Sequence, residues 1–347
     1  MPQQQQRAVF VREIKKPVEL GTRDIPTPED GQVLIKVTAT MLLPHDAYGR
    51  DMGLFMYDKL PYIPGANVAG VIEQIQGSSA FKKGDHIFGM SDFETPLPDQ
   101  QGLQEYAVLN NDDIAKVPEG FSDDQAVSLP VNIITSFLAL FDSKYGLGFP
   151  SPWESGSESS VKDKSLVIVG GGSSTGKLAI QLAKIAGFGQ ITTIAGLKNE
   201  AELMKMGATH VVDRHGTNEG VVSQVHTITG KDVTLVLDTV NQSFELATSL
   251  LSKNKESKLV TFLPNYQPEA LAEQRPKAKG IFVEGGNPRL EPYRQHFWKH
   301  VTEWLAAGKI LPTSYWTLDG LENVDKINAV LDGYMAGSGG AQLIVHP

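Results

Sequence analysis

The residues with the clearest chemistry in this sequence are Gly170-Gly171-Gly172-Ser173-Ser174-Thr175-Gly176. They stand between an apolar, strand-like run at 166–169 and a helical pattern at 177–186, in which Leu178, Leu182 and Ile185 share one face. Backbone N–H groups in such a turn, together with the positive end of the helix behind them, favour a pyrophosphate. The spacing Gly171-x-Ser173-x-x-Gly176 keeps the outer glycines of the dinucleotide fingerprint and puts Ser in the middle position, where a small side chain admits close approach and its hydroxyl can donate to the ligand. Gly171 to Lys177 also matches the start of a nucleoside-triphosphate loop, G-x-x-x-x-G-K. Leu178 follows, however, where Ser or Thr would hold Mg²⁺, and without that hydroxyl the metal geometry fails. A third reading is a turn that only packs helix on sheet. The choice of cofactor rests on the next strand. A site for NAD usually carries an acidic residue about twenty positions after the last glycine, bound to the ribose 2′-hydroxyl. Here the strand ends Ile194-Ala195-Gly196-Leu197-Lys198 without a carboxylate, and Arg214 follows a further strand in Val212-Asp213-Arg214-His215. Two cations where a 2′-phosphate would lie favour NADPH.

A phosphate turn needs a strand and a helix to hold it, and the flanking pattern supplies a series of both. Apolar runs at 191–195, 210–213, 233–238, 259–263 and 281–283 alternate with helical patterns, among them 200–206, which Gly207 stops. Continuous Val/Ile/Leu strands joined by helical crossovers imply a parallel sheet covered on both faces. The first third of the chain is different. Val33-Leu34-Ile35-Lys36-Val37-Thr38 alternates, and further short strands are expected at 68–75, 86–88 and 102–109, with Pro64-Gly65 and Lys83-Gly84-Asp85 as turns. No long amphipathic helix interrupts them before a helical pattern at 123–141, which opens on acidic residues. Residues 151–160 read as a polar, flexible loop. Mixed structure then returns: a helix at 293–307, a strand near Tyr315, a helix at 324–335 and a strand at 343–345. The fold class is therefore α/β, a partly open β-barrel split in sequence around an inserted dinucleotide-type domain.

Composition bounds the partners. A length of 347 residues calls for two domains, and 41% apolar residues suffice for two cores. The formal charge of -9 and the lack of any basic run argue against nucleic acid or an anionic membrane, and there is no run of about eighteen apolar residues to span one. Met1 to Arg7 reads as a frayed cytoplasmic start. With no cysteine, thiolate nucleophiles, iron–sulfur clusters and cysteine-held zinc are excluded.

Pro64-Gly65-Ala66-Asn67-Val68-Ala69-Gly70, Lys83-Gly84-Asp85, Gly102-Leu103-Gln104-Glu105-Tyr106 and Gly207-Ala208-Thr209-His210-Val211-Val212-Asp213 give the chain a resemblance, over nearly its whole length, to the medium-chain dehydrogenase/reductases. That resemblance implies a GroES-like domain from 1–126 and 288–347 and a Rossmann domain from 127–287. Zinc alcohol dehydrogenases carry a His-Glu pair where this chain has Ala66-Asn67, and a cysteine ligand where it has Leu43; the cysteine-rich zinc lobe expected after Gly89 is missing too. The chain thus resembles the zinc-independent branch: quinone reductases and, more closely, fungal trans-acting enoyl reductases, with Ser128-Leu129-Pro130-Val131, the Trp153 loop and Glu284-Gly285-Gly286-Asn287 as matching stretches. His296 and His300 have a metal-binding i, i+4 spacing, but Phe297 replaces the Glu of a metalloprotease helix, and they are read as ordinary helical histidines.

What the resemblance implies for the site follows position by position. Gly171, Gly172, Ser173, Ser174, Thr175 and Gly176 meet the pyrophosphate; Gly196, Lys198, Asn199 and Arg214 meet the adenosine phosphate; Thr135, Phe262 and Leu263 lie near the nicotinamide, with Gly340 closing from the C-terminal segment. Tyr48 falls where zinc-independent relatives put a polar residue facing the cofactor, and a phenol there can donate to a developing oxyanion; His45 is the second candidate, and solvent or a cofactor hydroxyl is an alternative acid. Phe55, Met56, Tyr57, Phe282 and Trp316 are candidate cleft walls or core. The implied activity is hydride transfer from NADPH to an enone, quinone or aldehyde, in a monomer or homodimer acting on a small molecule. Two alternatives stand beside it: a trans-acting enoyl reductase serving a polyketide synthase, and a non-catalytic NADPH-binding partner or redox sensor.

Overall fold

The computed structural model describes residues 4–54, 56, 59–91, 98–240, 243–262 and 268–347. Gln5 to Arg7 lie in a strand where fraying was expected: β1 (Gln5–Phe10) pairs antiparallel with β2 (Glu19–Asp24). The polar glutamines conceal the reason. Gln6 is buried, its amide oxygen accepting from Tyr106 N–H at 2.7 Å and its NH₂ donating to Gln104 at 3.2 Å, while Ala8, Val9 and Phe10 enter the core. Next come β3 (Gln32–Met41), α1 (Pro44–Met52), β4 (Asn67–Ile75), β5 (His86–Met90), β6 (Tyr106–Asn110), β7 (Ile114–Lys116) and α2 (Asp123–Val127). The helical pattern at 123–141 is broken: α2 ends at Ser128, and α3 (Pro130–Phe141) restarts at a proline, which fits the first turn of a helix but not its interior. By length and composition the stretch Asp123–Phe141 passes as a membrane span, but most of it is buried inside the protein, as in the core helix of a globular fold.

Helix α4 (Ser157–Val161) lies inside the expected flexible loop, and Trp153 there stacks on Phe137 of α3 at 5.1 Å and 12°. The series continues with β8 (Ser165–Val169), α5 (Ser174–Ala186), β9 (Gln190–Ala195), α6 (Glu200–Met206), β10 (His210–Asp213), α7 (Asn218–Thr229), β11 (Leu235–Asp238), α8 (Glu245–Leu250), β12 (Ser257–Thr261), α9 (Pro268–Gln274) and β13 (Ala278–Phe282). Its six strands form one all-parallel sheet, ordered β10-β9-β8-β11-β12-β13. Numbered within the sheet this is 3-2-1-4-5-6, the doubly wound dinucleotide-binding order, and its switch point falls beside β8, at the glycine turn. Val167, Val169, Ile194, Val212, Val236 and Leu259 build one buried cluster, which explains why these strands read as continuous apolar runs.

The chain closes with α10 (Asn287–Leu290), α11 (Arg294–Ala306), β14 (Tyr315–Asp319), α12 (Val324–Met335) and β15 (Gln342–His346). The barrel sheet runs β14-β15-β3-β4-β5-β7, with β6 added on β3; register shifts at Leu34/Ile35 and Val37/Ala39 bend β3 against β4. The chain divides into a first unit of Met1–Val131, Gly286–Gly308 and Pro312–Pro347, and a second of Asn132–Gly285 and Lys309–Leu311. The first boundary falls after Val131, not 126, because α2 packs on β3, β4 and β5 of the barrel.

The barrel unit contains a charge clamp at its carboxyl end. His346 Nδ1 lies 2.7 Å from Asp319 of β14, and Nε2 lies 2.8 Å from Asp124 of α2. Burial opposes its charge, but hydrogen bonds to the two carboxylates and their attraction outweigh that, so the imidazole pKa is raised. A raised folded pKa contributes stability that is complete below the unfolded value of about 6.5 and is lost as pH rises through the folded one. The melting temperature of wild type should therefore fall more than that of His346→Gln as pH rises above about 6.5. Parallel pH dependences of the two proteins would count against the clamp.

Candidate functional site

In the second unit, strand β8 is followed by Gly170 at φ +83, a conformation that favours glycine, and the N–H groups of Gly170 and Gly171 both donate to Ile194 O of β9. The chain then turns directly into α5. A methyl group at Gly176 would overlap the backbone of Gly170 and Gly171, so only glycine lets the helix sit this close to the strand. Ser173 is the N-cap: its Oγ accepts from Gly176 N–H at 3.0 Å. Thr239, just after β11, donates to Val169 O at 2.9 Å, which leaves Ser173 to donate to Thr239 Oγ1 at 3.0 Å. The Ser173 hydroxyl, expected to donate to the ligand, is thus spent on the turn itself. The N–H groups of Gly172, Ser174 and Thr175 have no partner among the described residues. Three free donors at the start of a thirteen-residue helix fit a pyrophosphate. Thr175 Oγ1 donates to Asn132 of α3 at 3.1 Å, and its hydroxyl too is occupied. Lys177 is buried and paired with Glu202 of α6 at 2.8 Å, so its ammonium serves the helix pair and the triphosphate-loop reading loses its lysine.

Beyond β9 lies the second cluster. Gly196 follows the strand, and Arg214 follows β10, its N–H extending the sheet to Ala195 O at 3.0 Å. A methyl group on Gly196 would meet His215 Cε1 at 3.8 Å and Arg214 Nε at 3.9 Å, ordinary contact distances. The volume where an NAD-type carboxylate would stand is therefore open and bordered by two basic side chains. Lys198 and Arg214 are exposed and form no ion pair among the described residues, whereas His215 Nδ1 lies 2.8 Å from Asp213 Oδ1. That hydrogen bond, and a second from the His215 N–H, hold the Asp213 carboxyl below the usual range. Asn199 joins the two clusters: its Nδ2 lies 2.8 Å from the place of a Gly172 methyl. Thr135 is buried on α3 against Gly285, and Phe262 is half-buried just after β12; Leu263 lies outside the described residues.

The first unit holds the other candidates. Helix α1 carries His45 and Tyr48 at i and i+3, hence on one side. Tyr48 is half-buried, and its hydroxyl has no hydrogen-bond partner among the described residues. Asp46 pins the helix from beneath: buried, it accepts from Leu43 N–H at 2.8 Å and from Gly65 N–H at 2.9 Å, and lies 3.7 Å from His45 Nε2. Burial, and then the Asp46 charge, push the Tyr62 phenol well above its ordinary value; burial pushes Tyr334 up to about 12, with Asp46 adding to the rise. Both phenols stay neutral at any working pH. Arg50 ties the same helix to Asp332 of α12 at 2.6 Å. Sequence reasoning missed Asp46 because its partners are backbone groups, one of them across the Pro64-Gly65 turn.

At the positions of the zinc ligands, Leu43 and Ala66 are buried and apolar. Asn67 is fully buried and occupied: its Nδ2 donates to Val127 O at 2.9 Å and its Oδ1 accepts from Val131 N–H at 2.9 Å. No group of three or more metal-ligating side chains occurs among the described residues. His300 pairs with Glu303 at 2.9 Å and stacks on Trp304. Of the candidate cleft walls, Met56 belongs to a buried core cluster, Phe282 is half-buried at the end of β13, and Trp316 is exposed on β14; Phe55 and Tyr57 lie outside the described residues. Gly340 has φ +128 in the turn before β15, in the first unit.

Two family models match the chain: the alcohol dehydrogenase GroES-like domain over residues 29–119 and the zinc-binding dehydrogenase over residues 174–287. A quinone oxidoreductase of Homo sapiens is 33% identical over 214 residues, 60% of this chain and 58% of that protein. A trans-enoyl reductase of Fusarium mangiferae is 26% identical over 362 aligned residues, 90% of this chain and 92% of that protein. The chain thus spans little more than half of the human relative and nearly all of the fungal one. Among solved structures, a mycobacterial protein complexed with NADPH superposes with a TM-score of 0.74 at 18% identity, covering 99% of this chain and all of that one, a likeness of fold.

Proposed function

The chain belongs to the medium-chain dehydrogenase/reductase family, in its quinone-reductase-like branch, and from that premise we propose that it is a zinc-independent, NADPH-dependent reductase of an activated C=C bond, a quinone or an aldehyde. The observation that carries the cofactor choice is the open volume at Gly196 beside Arg214, with the unpaired Lys198 on the same connection. The three free N–H groups of Gly172, Ser174 and Thr175 hold the pyrophosphate, and Thr135 and Phe262 are assigned to the nicotinamide end. NADPH, when bound, supplies the hydride. The chain's own part is to orient the reactants, exclude water, and meet the charge that develops on the substrate oxygen as hydride arrives. We assign that last role to the Tyr48 hydroxyl, which no group among the described residues engages, with His45 as the second donor.

Lys198→Ala should weaken NADPH about ten-fold and leave NADH nearly unchanged, since a charge-assisted phosphate contact is worth roughly 1.5–3 kcal/mol and this one is exposed. Titration calorimetry with both cofactors tests it, and equal binding of the two by wild type would sink the NADPH assignment. Zinc independence rests on the residue types at positions 43, 66 and 67. Treatment with a chelator should leave activity and melting temperature where they were, and stoichiometric zinc in the purified protein by elemental analysis would refute it.

NADPH oxidation against a panel of enones, quinones and aldehydes tests the reaction. Cofactor binding without turnover on any of them would favour a binding partner or redox sensor. The narrower reading, enoyl reduction for a polyketide synthase, has in its favour the 92% of the Fusarium relative that aligns. A thioester-bound enoyl chain reduced much faster than free enones would support it.

A further inference from the structure

We propose that His215, oriented by Asp213, is a third cation for the cofactor's 2′-phosphate and makes the affinity for NADPH dependent on pH. The proposal rests on the NADPH reading above and adds a residue and a regulation to it. Three observations carry it. His215 Cε1 and Arg214 Nε lie 3.8 and 3.9 Å from the point where a Gly196 side chain would begin, so the imidazole and the guanidinium border the same open volume. The ring is fixed and not merely nearby: Nδ1 lies 2.8 Å from Asp213 Oδ1, and the His215 backbone N–H donates to the same oxygen at 3.3 Å. Its other edge is exposed, with no partner to Nε2 among the described residues.

The hydrogen bond to a carboxylate decides the tautomer. Asp213 can only accept, so the proton of a neutral imidazole sits on Nδ1, and Nε2 presents a lone pair. A lone pair beside a phosphate dianion is repulsive; taking up one proton from solvent turns Nε2 into a charged donor and reverses the sign. Binding of a 2′-phosphate and protonation of His215 therefore assist one another. The charged groups around the ring act in opposite directions. Asp213 favours the imidazolium, Arg214 and Lys198 oppose it while the site is empty, and the phosphate neutralises that opposition. A cofactor lacking the 2′-phosphate leaves the ring uncoupled.

The test is binding, not turnover. NADPH, NADH and adenosine 2′-monophosphate are titrated calorimetrically at pH 6 and pH 8 into wild type and into His215→Gln. The 2′-phosphate itself titrates near pH 6, so the informative quantity is the ratio of wild type to variant at each pH. At pH 6 the variant should bind NADPH and adenosine 2′-monophosphate about three- to ten-fold more weakly than wild type, the range for a charge-assisted but exposed contact; at pH 8 the two should converge. NADH should bind both proteins equally at both pH values. Asp213→Asn, which removes the orienting charge, should show a smaller loss of the same kind. An unchanged ratio at pH 6 and 8, with NADPH still preferred over NADH, overturns the role of His215 and leaves the NADPH reading standing. Equal affinity of wild type for NADPH and NADH overturns that reading instead.

Discussion

Asn67→Asp should cost the barrel unit about 3 kcal/mol or more at neutral pH, a large loss from a change of one NH₂ to one oxygen. The side chain is fully buried on β4, with Nδ2 donating to Val127 O and Oδ1 accepting from Val131 N–H, both at 2.9 Å. Thr40 Oγ1 donates to the Asn67 carbonyl at 2.8 Å and holds the backbone from the other side. At neutral pH the amide offers a donor and an acceptor in this shape without charge. A carboxylate would set two acceptors against each other at Val127 and bury a charge with no counter-ion among the described residues. A protonated acid, however, can donate through its O–H and still accept from Val131. The folded state therefore favours the protonated form and raises the pKa of the new acid. A folded pKa above the unfolded value means that the folded variant holds the extra proton, so its stability falls as pH rises from about 3.9 through the raised value. Urea unfolding of both proteins at several pH values should show a deficit that narrows toward pH 4. A deficit independent of pH, or none at pH 7, would show that Asn67 is not the staple its contacts describe.

Position 67 also marks where sequence reasoning stops. The missing His-Glu pair is visible in the string Ala66-Asn67, but the work done by Asn67 is not, because its two partners are backbone groups 60 and 64 residues further along. Asp46 is concealed in the same way by Gly65, and Gln6 by Tyr106. The parallel sheet was legible since most of its strands are short apolar runs between helical patterns, a signal carried within ten residues; β13, with Lys279 and Gly280 inside it, is not such a run. The glycine turn was legible for a related reason: a phosphate site built from consecutive N–H groups is written consecutively. Its middle residue was legible only in part. Ser173 fits the fingerprint as a small residue, yet its hydroxyl caps α5 and reaches Thr239, which arrives from β11 on the far side of the switch point. The single helical pattern over α2 and α3 misled because Leu129 and Pro130 interrupt the backbone without interrupting the apolar period.

Tyr48→Phe should slow hydride transfer by about a hundred-fold, the lower end of what the loss of one oxyanion donor costs, and should leave cofactor affinity and melting temperature unchanged. The three readouts separate because of where the hydroxyl stands. It makes no hydrogen bond within the described residues, so removing it takes nothing from the fold, and the phenyl ring keeps the half-buried packing on α1. Tyr334 provides the contrast: its hydroxyl donates to Leu42 O at 3.1 Å, and Tyr334→Phe should lower stability without a comparable effect on chemistry. The helix beneath Tyr48 does not depend on that hydroxyl either. Asp46 fixes its start, Gly53 in the left-handed region closes its end, and Arg50 anchors it to α12. The phenol is thus a free donor on a rigid mount, the arrangement that stabilises a developing charge without reorganisation. If product release limits turnover in wild type, a deuterated cofactor will show a small isotope effect there and a larger one in the variant, as chemistry becomes the slow step. Single-turnover rates on the best substrate of the panel decide the matter. An unchanged hydride-transfer rate in Tyr48→Phe would remove the phenol from the chemistry and pass its role to His45 or to solvent, and a fall in melting temperature would mean that the hydroxyl was holding structure after all.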